Sequence, residues 1–363
     1  MTTQGGFATV GMPEAVAFLD RRVISPLRED SGSQYSGDVR RSDCWAQPML
    51  LSAEGISDAT FMEVLVASRR WMVALDDPGA AETIVRWTRQ FTHPKNIAIT
   101  LVHVLEELDL PEAIGEKGHQ LLLQQHMAVT EVLLDRARRL LEGVFASVEV
   151  VLREGPPGEE LLRFIRSHQP ELVITGMSGL SRTSGAVLGS VSHRLVSDAP
   201  CSVLLVPGQA PRRQGLHAML ATDGSPDAQR AAQVLAALPG VREILIVSVV
   251  RPLGVERLVL EQMHDPESRT LQARLLRDRR QAAHQAIRQA EAILREGPAV
   301  VTTRLLSGHP AETIVQVARR ADVDLLVVGS RGLTGVKALA LGSVSQAVTQ
   351  LAGCPVLIVK REA

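Results

Sequence analysis

Cysteine is nearly absent: three in 363 residues are too few for a disulfide framework, which points to a reducing compartment. Aromatic residues make up only 3% of the chain, leaving no set of rings on which single-stranded bases could stack. No charge of one sign dominates, because 39 basic and 40 acidic residues leave a formal net charge of −1. The chain therefore has no long-range field to draw in DNA or an anionic bilayer. The densest basic stretch, Arg274, Arg277, Arg279 and Arg280, interleaves with Leu271, Leu275, Leu276, Ile287, Ala290 and Leu294 at helical spacing. That pattern reads as the wet face of an amphipathic helix. No apolar run approaches the ~18 residues of a membrane span, and no basic-then-apolar leader is present. The expectation is a cytoplasmic protein with neither a nucleic-acid nor a membrane partner.

Phosphoryl-transfer machinery is missing as well. There is no Gly-x4-Gly-Lys-[Ser/Thr] loop, hence no lysine built in to neutralise β- and γ-phosphates. His119 and His126 stand seven apart, outside the i, i+4 spacing of a helical metal pair, so no metal site is expected. Cys201 and Cys354 read as small buried thiols rather than redox groups.

What the chain does have, it has twice. Gly176-Met177-Ser178-Gly179, nine residues, then Gly189-Ser190 is matched by Gly329-Ser330-Arg331-Gly332, nine residues, then Gly342-Ser343. Each loop follows an apolar run and precedes a helical pattern opening on Gly-Ser-Val-Ser and closing on an apolar strand. A glycine loop between a strand and a helix start is where backbone N–H groups converge on a phosphate.

Around these loops the order of elements repeats. In the second copy strands are expected at Leu216–Thr222, Glu243–Val250, Val300–Leu306, Asp324–Val328 and Val356–Val359. Helices are expected at Asp227–Leu238, up to Arg295, at Ala311–Arg320 and from Ser343. The first copy runs in the same order from Trp71 to Val206. The strands are unbroken Val/Ile/Leu runs, as required when helices cover both faces of a parallel sheet. The fold class is therefore α/β, with two tandem doubly wound open parallel sheets of order 3-2-1-4-5. The domains are 69–207 and 216–363, joined by a proline-flanked linker at 208–215. Residues 1–68 form an N-terminal extension outside the repeat, with flexible Gly/Ser punctuation and room for short helices at Pro13–Leu27 and Asp58–Ser68.

In such a sheet, ligands bind beyond the carboxyl ends of the strands where the strand order reverses. The first strand of the second copy ends Ala221-Thr222-Asp223-Gly224-Ser225. Asp223 is placed to accept from ribose hydroxyls, and Gly224 allows the sharp turn. The loop from Gly329 would hold phosphates, with Ser343 and Ser345 adding hydroxyl donors at the positive end of the next helix. An Asp after a strand can also be only a helix cap, and a glycine loop only a tight turn. Both features recurring together in both halves favour a nucleotide site.

At this point the chain resembles the tandem universal stress proteins, in their ATP-binding branch. The likeness rests on the G-x2-G-x9-G-[S/T] loop in both copies and on the first-strand Asp. It rests also on the turns Gly155-Pro156-Pro157 and Gly308-His309-Pro310 and on the terminal Pro-Val-Leu-Ile-Val. It covers about 69–363 and implies the adenine nucleotide alpha hydrolase-like fold. It also implies a site for ATP, with or without Mg2+, in which Asp223 meets the ribose and adenine end, Val249 lines the base pocket, and Ala221 and Val328 are among the nucleotide-binding residues. Gly329, Gly332, Gly342, Ser343, Val344 and Ser345 would surround the phosphates. In the first half the matching positions are Asp76, Val104, Gly176, Gly179, Gly189, Ser190, Val191 and Ser192. Asp76-Asp77-Pro78 replaces Asp223-Gly224-Ser225 there, adding a negative charge and a rigid residue near the phosphate path.

The implied output is nucleotide occupancy in a stress-related regulatory module without fast turnover, acting on an unidentified protein partner. A scaffold with empty sites is the competing class, and an ATP-consuming enzyme the third. The fifth strand of a 3-2-1-4-5 sheet is an apolar edge that invites pairing. Val203–Val206 and Val356–Val359 are therefore expected to pair antiparallel about a pseudo-two-fold axis, keeping Cys201 well apart from Cys354. A second interface, involving residues 1–68, would allow a homodimer.

Overall fold

A computed structural model describes residues 69–75, 78–91, 96–106, 115–177, 188–213, 215–262, 266–333 and 341–360. All described residues belong to the unit Asp58–Ala363. The proposed N-terminal extension, Asp76, Asp77 and Gly179 lie outside the described residues.

The first half runs β1 (Arg69–Leu75), α1 (Pro78–Thr88), β2 (Ile97–Leu105), α2 (Gly115–Leu141), β3 (Ser147–Glu154), α3 (Pro157–His168), β4 (Leu172–Gly176), α4 (Ser190–Asp198) and β5 (Ser202–Val206). The second half runs β6 (Leu216–Ala221), α5 (Pro226–Ala236), β7 (Val241–Val250), α6 (Val255–Gln262), α7 (Pro266–Leu294), β8 (Val300–Ser307), α8 (Pro310–Arg320), β9 (Leu325–Gly329), α9 (Ser343–Leu351) and β10 (Val356–Val359). Helix α6 falls between the second and third strands of the second half.

One ten-stranded sheet holds both halves in the order β3-β2-β1-β4-β5-β10-β9-β6-β7-β8. Each half is thus 3-2-1-4-5 and internally parallel, as the sequence predicts, and β5 pairs antiparallel with β10. Helices α1, α2, α5 and α7 cover one face, and α3, α4, α8 and α9 cover the other. Covering on both sides is why the central strands read as continuous apolar runs rather than alternating ones.

The seam between the halves has its own logic. Leu204 lies opposite Leu357, and these are also repeat equivalents, since 357 − 204 = 153 and 329 − 176 = 153. The pseudo-two-fold axis therefore passes through that pair. All eight residues Val203–Val206 and Val356–Val359 are no more than 1% exposed, so the seam is core. Both apolar clusters run unbroken across it. Extending the register sets Cys201 against Lys360 and Cys354 against Pro207. The two thiols are then six residues apart along the seam (207 − 201 = 6), ~20 Å at ~3.3 Å per residue.

The linker is pinned rather than loose. Trp87 Nε1 donates to Gln209 O at 2.7 Å. Arg213 donates to Asp322 O at 2.9 Å and pairs with the Asp322 and Asp324 carboxylates.

Candidate nucleotide crevice

From β1 the chain crosses to β2 on one side, and from β3 it returns to β4 on the other side of β1; β6 is flanked by β7 and β9 in the same way. Each half thus has a switch point at the carboxyl end of its first strand, the place where sheets of this kind form their ligand crevice. The antiparallel seam sets the two crevices at opposite edges of the sheet.

In the second half the turn after β6 is built from local hydrogen bonds. Gly224 has φ +80°, a left-handed conformation that favours glycine, and a Cβ there would sit 3.1 Å from Ala286 Cβ. Ser225 N–H donates to Asp223 Oδ1 at 2.9 Å, and the Ser225 hydroxyl caps α5 by accepting from Ala228 N–H at 3.2 Å. Asp223 is therefore not the helix cap. Its Oδ2 reaches across the crevice and accepts from Leu333 N–H at 3.0 Å. The glycine loop is in this way tied to the end of the first strand.

The loop is tied at other points too. Ser330 N–H donates to Val359 O at 2.8 Å, and Gly342 N–H donates to Ser330 O at 2.8 Å. The second bond joins the start of α9 to the start of the loop. Gly332 packs against Asp223 so closely that a Cβ would lie 2.6 Å from Oδ2. Gly342 is the N-cap residue of α9, and no side chain caps that helix. Among the described residues the first-turn N–H groups of α9 therefore have no side-chain cap, and the positive end of the helix dipole lies beside the loop. The first half repeats this: Gly189 N–H donates to Met177 O at 2.8 Å, and α4 also starts on an uncapped glycine.

The two serines at the start of α9 have different places. Ser345 is buried and its hydroxyl donates inward to Gly329 O at 2.7 Å. Ser192 does the same to Gly176 O at 2.6 Å. Their protons are committed to holding the helix on the strand end. Ser343 and Ser190 remain exposed at the crevice. Ala221, Val249, Val328 and Val344 meet on one face of the sheet and form an apolar wall at the ends of β6, β7 and β9. Val104 and Val191 belong to the same face in the first half.

Chemistry elsewhere is sparse. Burial pushes both the Cys201 and Cys354 thiols up to about 11, so neither is activated at neutral pH. A cavity of 240 Å³ under the linker, lined by Trp87, Gln209, Arg319 and Cys354 among others, lies at the opposite ends of β9 and β10 from the crevice. Among the described residues, no helix is long and apolar enough to cross a membrane.

The feature that sequence reasoning missed is Asp227. It stands in the first turn of α5, is 7% exposed, and accepts from the Ser330 hydroxyl at 2.7 Å and from Arg331 N–H at 3.0 Å. Its signal was an acidic residue at a helix start that the first copy does not share.

Comparison with known proteins agrees with this architecture. The universal stress protein family model matches residues 68–207 and again 216–360. The universal stress protein Rv2623 of Mycobacterium tuberculosis is 27% identical over 310 residues, covering 80% of this chain and 95% of its own. YxiE of Bacillus subtilis, another universal stress protein, is 54% identical over 54 residues, 15% of this chain and 36% of its own. The crystal structure of a universal stress protein from Archaeoglobus fulgidus superposes with a TM-score of 0.51 at 18% identity, over 80% of this chain and 98% of its own; at that identity it supports the fold alone. With the family matched across both halves and the ten strands in the order that two such domains require, the chain belongs to the universal stress protein family, as a tandem member.

Proposed function

We propose that the second-half crevice binds ATP and that occupancy, rather than turnover, is what the protein signals as a cytoplasmic, stress-related regulatory module. The observation that carries this reading is the uncapped start of α9 joined by the Gly342–Ser330 hydrogen bond to a glycine loop that Asp223 already holds in place. Backbone N–H groups and a helix dipole at one spot suit the polyanionic end of a nucleotide. The apolar wall of Ala221, Val249 and Val328 suits a base.

Asp223 fits the sugar between them. A carboxylate has about four lone-pair positions, and Ser225 N–H and Leu333 N–H use two of them. Among the described residues no other donor meets this carboxylate, which leaves positions for ribose hydroxyls. Gly329, Gly332, Gly342, Ser343 and Val344 would border the phosphates, and Mg2+ would supply further charge neutralisation there. The loop carries Arg331 and Lys337 but not the Gly-x4-Gly-Lys-[Ser/Thr] arrangement that phosphoryl-transfer loops use, which supports binding without fast hydrolysis.

The test is nucleotide retained by the purified full-length protein, identified by mass and counted per chain. About one ATP per chain, lost in Gly332→Val while the fold persists, is the expected result. A nucleotide-free protein with no calorimetric response to ATP would leave the scaffold reading instead.

A further inference from the structure

The loop of the second half is held by more than the family motif. Asp227 Oδ2 accepts from both the Ser330 hydroxyl (2.7 Å) and Arg331 N–H (3.0 Å). The Ser225 hydroxyl donates to Arg331 O at 3.2 Å. Both backbone polar groups of Arg331 are thus fixed by the first turn of α5. Ser330 is only 4% exposed, so this contact is shielded from water, where a charge-assisted bond is stronger. A carboxylate this buried needs such partners, and the positive end of α5 favours its charge.

The first half cannot build the same contact. Met177 N–H donates to Val206 O and Met177 O accepts from Gly189, just as Ser330 N–H donates to Val359 O and Ser330 O accepts from Gly342. Met177 is therefore the structural counterpart of Ser330. Across the first helices, buried Ala81, Ile84 and Val85 match buried Ala228, Ala231 and Ala232 at an offset of 147, which sets Ala80 in the place of Asp227. Alanine and methionine supply neither the carboxylate nor the hydroxyl.

We propose that Asp227 is a positioning residue that holds the glycine loop of the second half in its nucleotide-binding conformation, and that its absence makes the first half the weaker site. The inference rests on the ATP reading above. Its physical basis is preorganisation: a loop already ordered loses less freedom when ligand arrives.

The experiment combines ATP titration calorimetry with amide hydrogen exchange on the full chain, wild type against Asp227→Ala, Asp227→Asn and Ser330→Ala. Asp227→Ala should weaken ATP binding at the second half about tenfold and speed exchange at Arg331 in the nucleotide-free protein, for the loss of two shielded hydrogen bonds. Ser330→Ala, which leaves α5 untouched, should move both readouts the same way by less. Asp227→Asn, which keeps an acceptor oxygen, should recover part of each. Faster exchange with unchanged ATP affinity in the folded variants overturns the proposal while the ATP reading stands. A wild type that binds no ATP overturns that reading, and the proposal with it. Equal ATP affinity of the two wild-type halves refutes the asymmetry.

Discussion

Replacing Gly329 by alanine would test whether the end of β9 is glycine because of the protein's own packing. A Cβ at that position would lie 2.7 Å from Asp227 C, 2.8 Å from Ala228 N and 2.9 Å from Asp227 O. All three are main-chain atoms of the first turn of α5, so no rotamer change relieves them. Ordinary carbon contacts sit at about 3.5–4.0 Å, and α5 would have to move outward by nearly an ångström. Overpacking of this kind costs about 1–3 kcal/mol. The shift also stretches the bonds from Asp227 to Ser330 and Arg331, and a buried group left short of a partner adds about 1–3 kcal/mol. A total of about 2–6 kcal/mol should lower the melting temperature by roughly 3–10 °C for a unit of about 300 residues. The control is Gly353→Ala, whose Cβ would meet nothing within 4 Å and which should melt with wild type. The assay is thermal unfolding followed by far-UV circular dichroism without nucleotide. A Gly329→Ala protein melting within a degree of wild type would refute the packing argument and leave ligand approach as the reason for the glycine.

Two further outcomes follow from the seam. Burial lowers the Lys360 ammonium from 10.5 to about 8, with the nearby Cys201 and Asp198 opposing that shift. Between those values the unfolded chain binds more protons than the native one, so this group makes stability rise with pH from about 8 to 10.5. Relative to Lys360→Met, wild type should gain on the order of 2 kcal/mol across that window, read as the difference in urea unfolding free energy at pH 7.5 and 10; a flat difference would refute it. Cys201 and Cys354 should react with a thiol reagent at pH 8 far more slowly than free cysteine and should form no intramolecular disulfide on mild oxidation, since burial raises both to about 11 and the register separates them. A Cys201–Cys354 crosslink in the folded monomer would contradict the antiparallel seam.

The strands, their order and the seam were legible because each depends on burial, and burial writes itself as runs of Val, Ile and Leu. Val203–Val206 and Val356–Val359 are apolar at every position, which a half-exposed edge strand would not be. The glycine loops were legible through their repetition. Hydrogen-bond partners were not, because apolar periodicity reports which face is covered and not where a polar atom points. Ser345 was expected to offer its hydroxyl to phosphate, and the structure shows that hydroxyl donating to Gly329 O. Asp223 was read as a ribose ligand, and the structure adds its grip on Leu333 N–H. Asp227 carries no motif of its own, and the one trace it leaves in the sequence is an acidic first turn in the second copy that the first copy lacks.

The antiparallel seam also brings the two sites nearer in contacts than in distance. The glycine loop of the second half begins at Ser330, whose N–H is bonded to Val359 O at the end of β10. The next residue, Lys360, turns into the first half, and its Nζ donates to Ser197 O at 3.1 Å and Ala199 O at 2.6 Å. These carbonyls end α4, where a cation complements the helix dipole. The other end of α4 is the uncapped Gly189-Ser190 start that faces the first-half crevice. A single nine-residue helix therefore has one end at one crevice and the other held by the residue that follows the loop strand of the second. The reverse path is built differently: the end of α9 is held by Arg319 of its own half, which donates to Leu351 O at 2.9 Å. The pseudo-two-fold axis relates the two folds but not these two contacts, so the connection from the second-half loop to α4 has no mirror in the connection from the first.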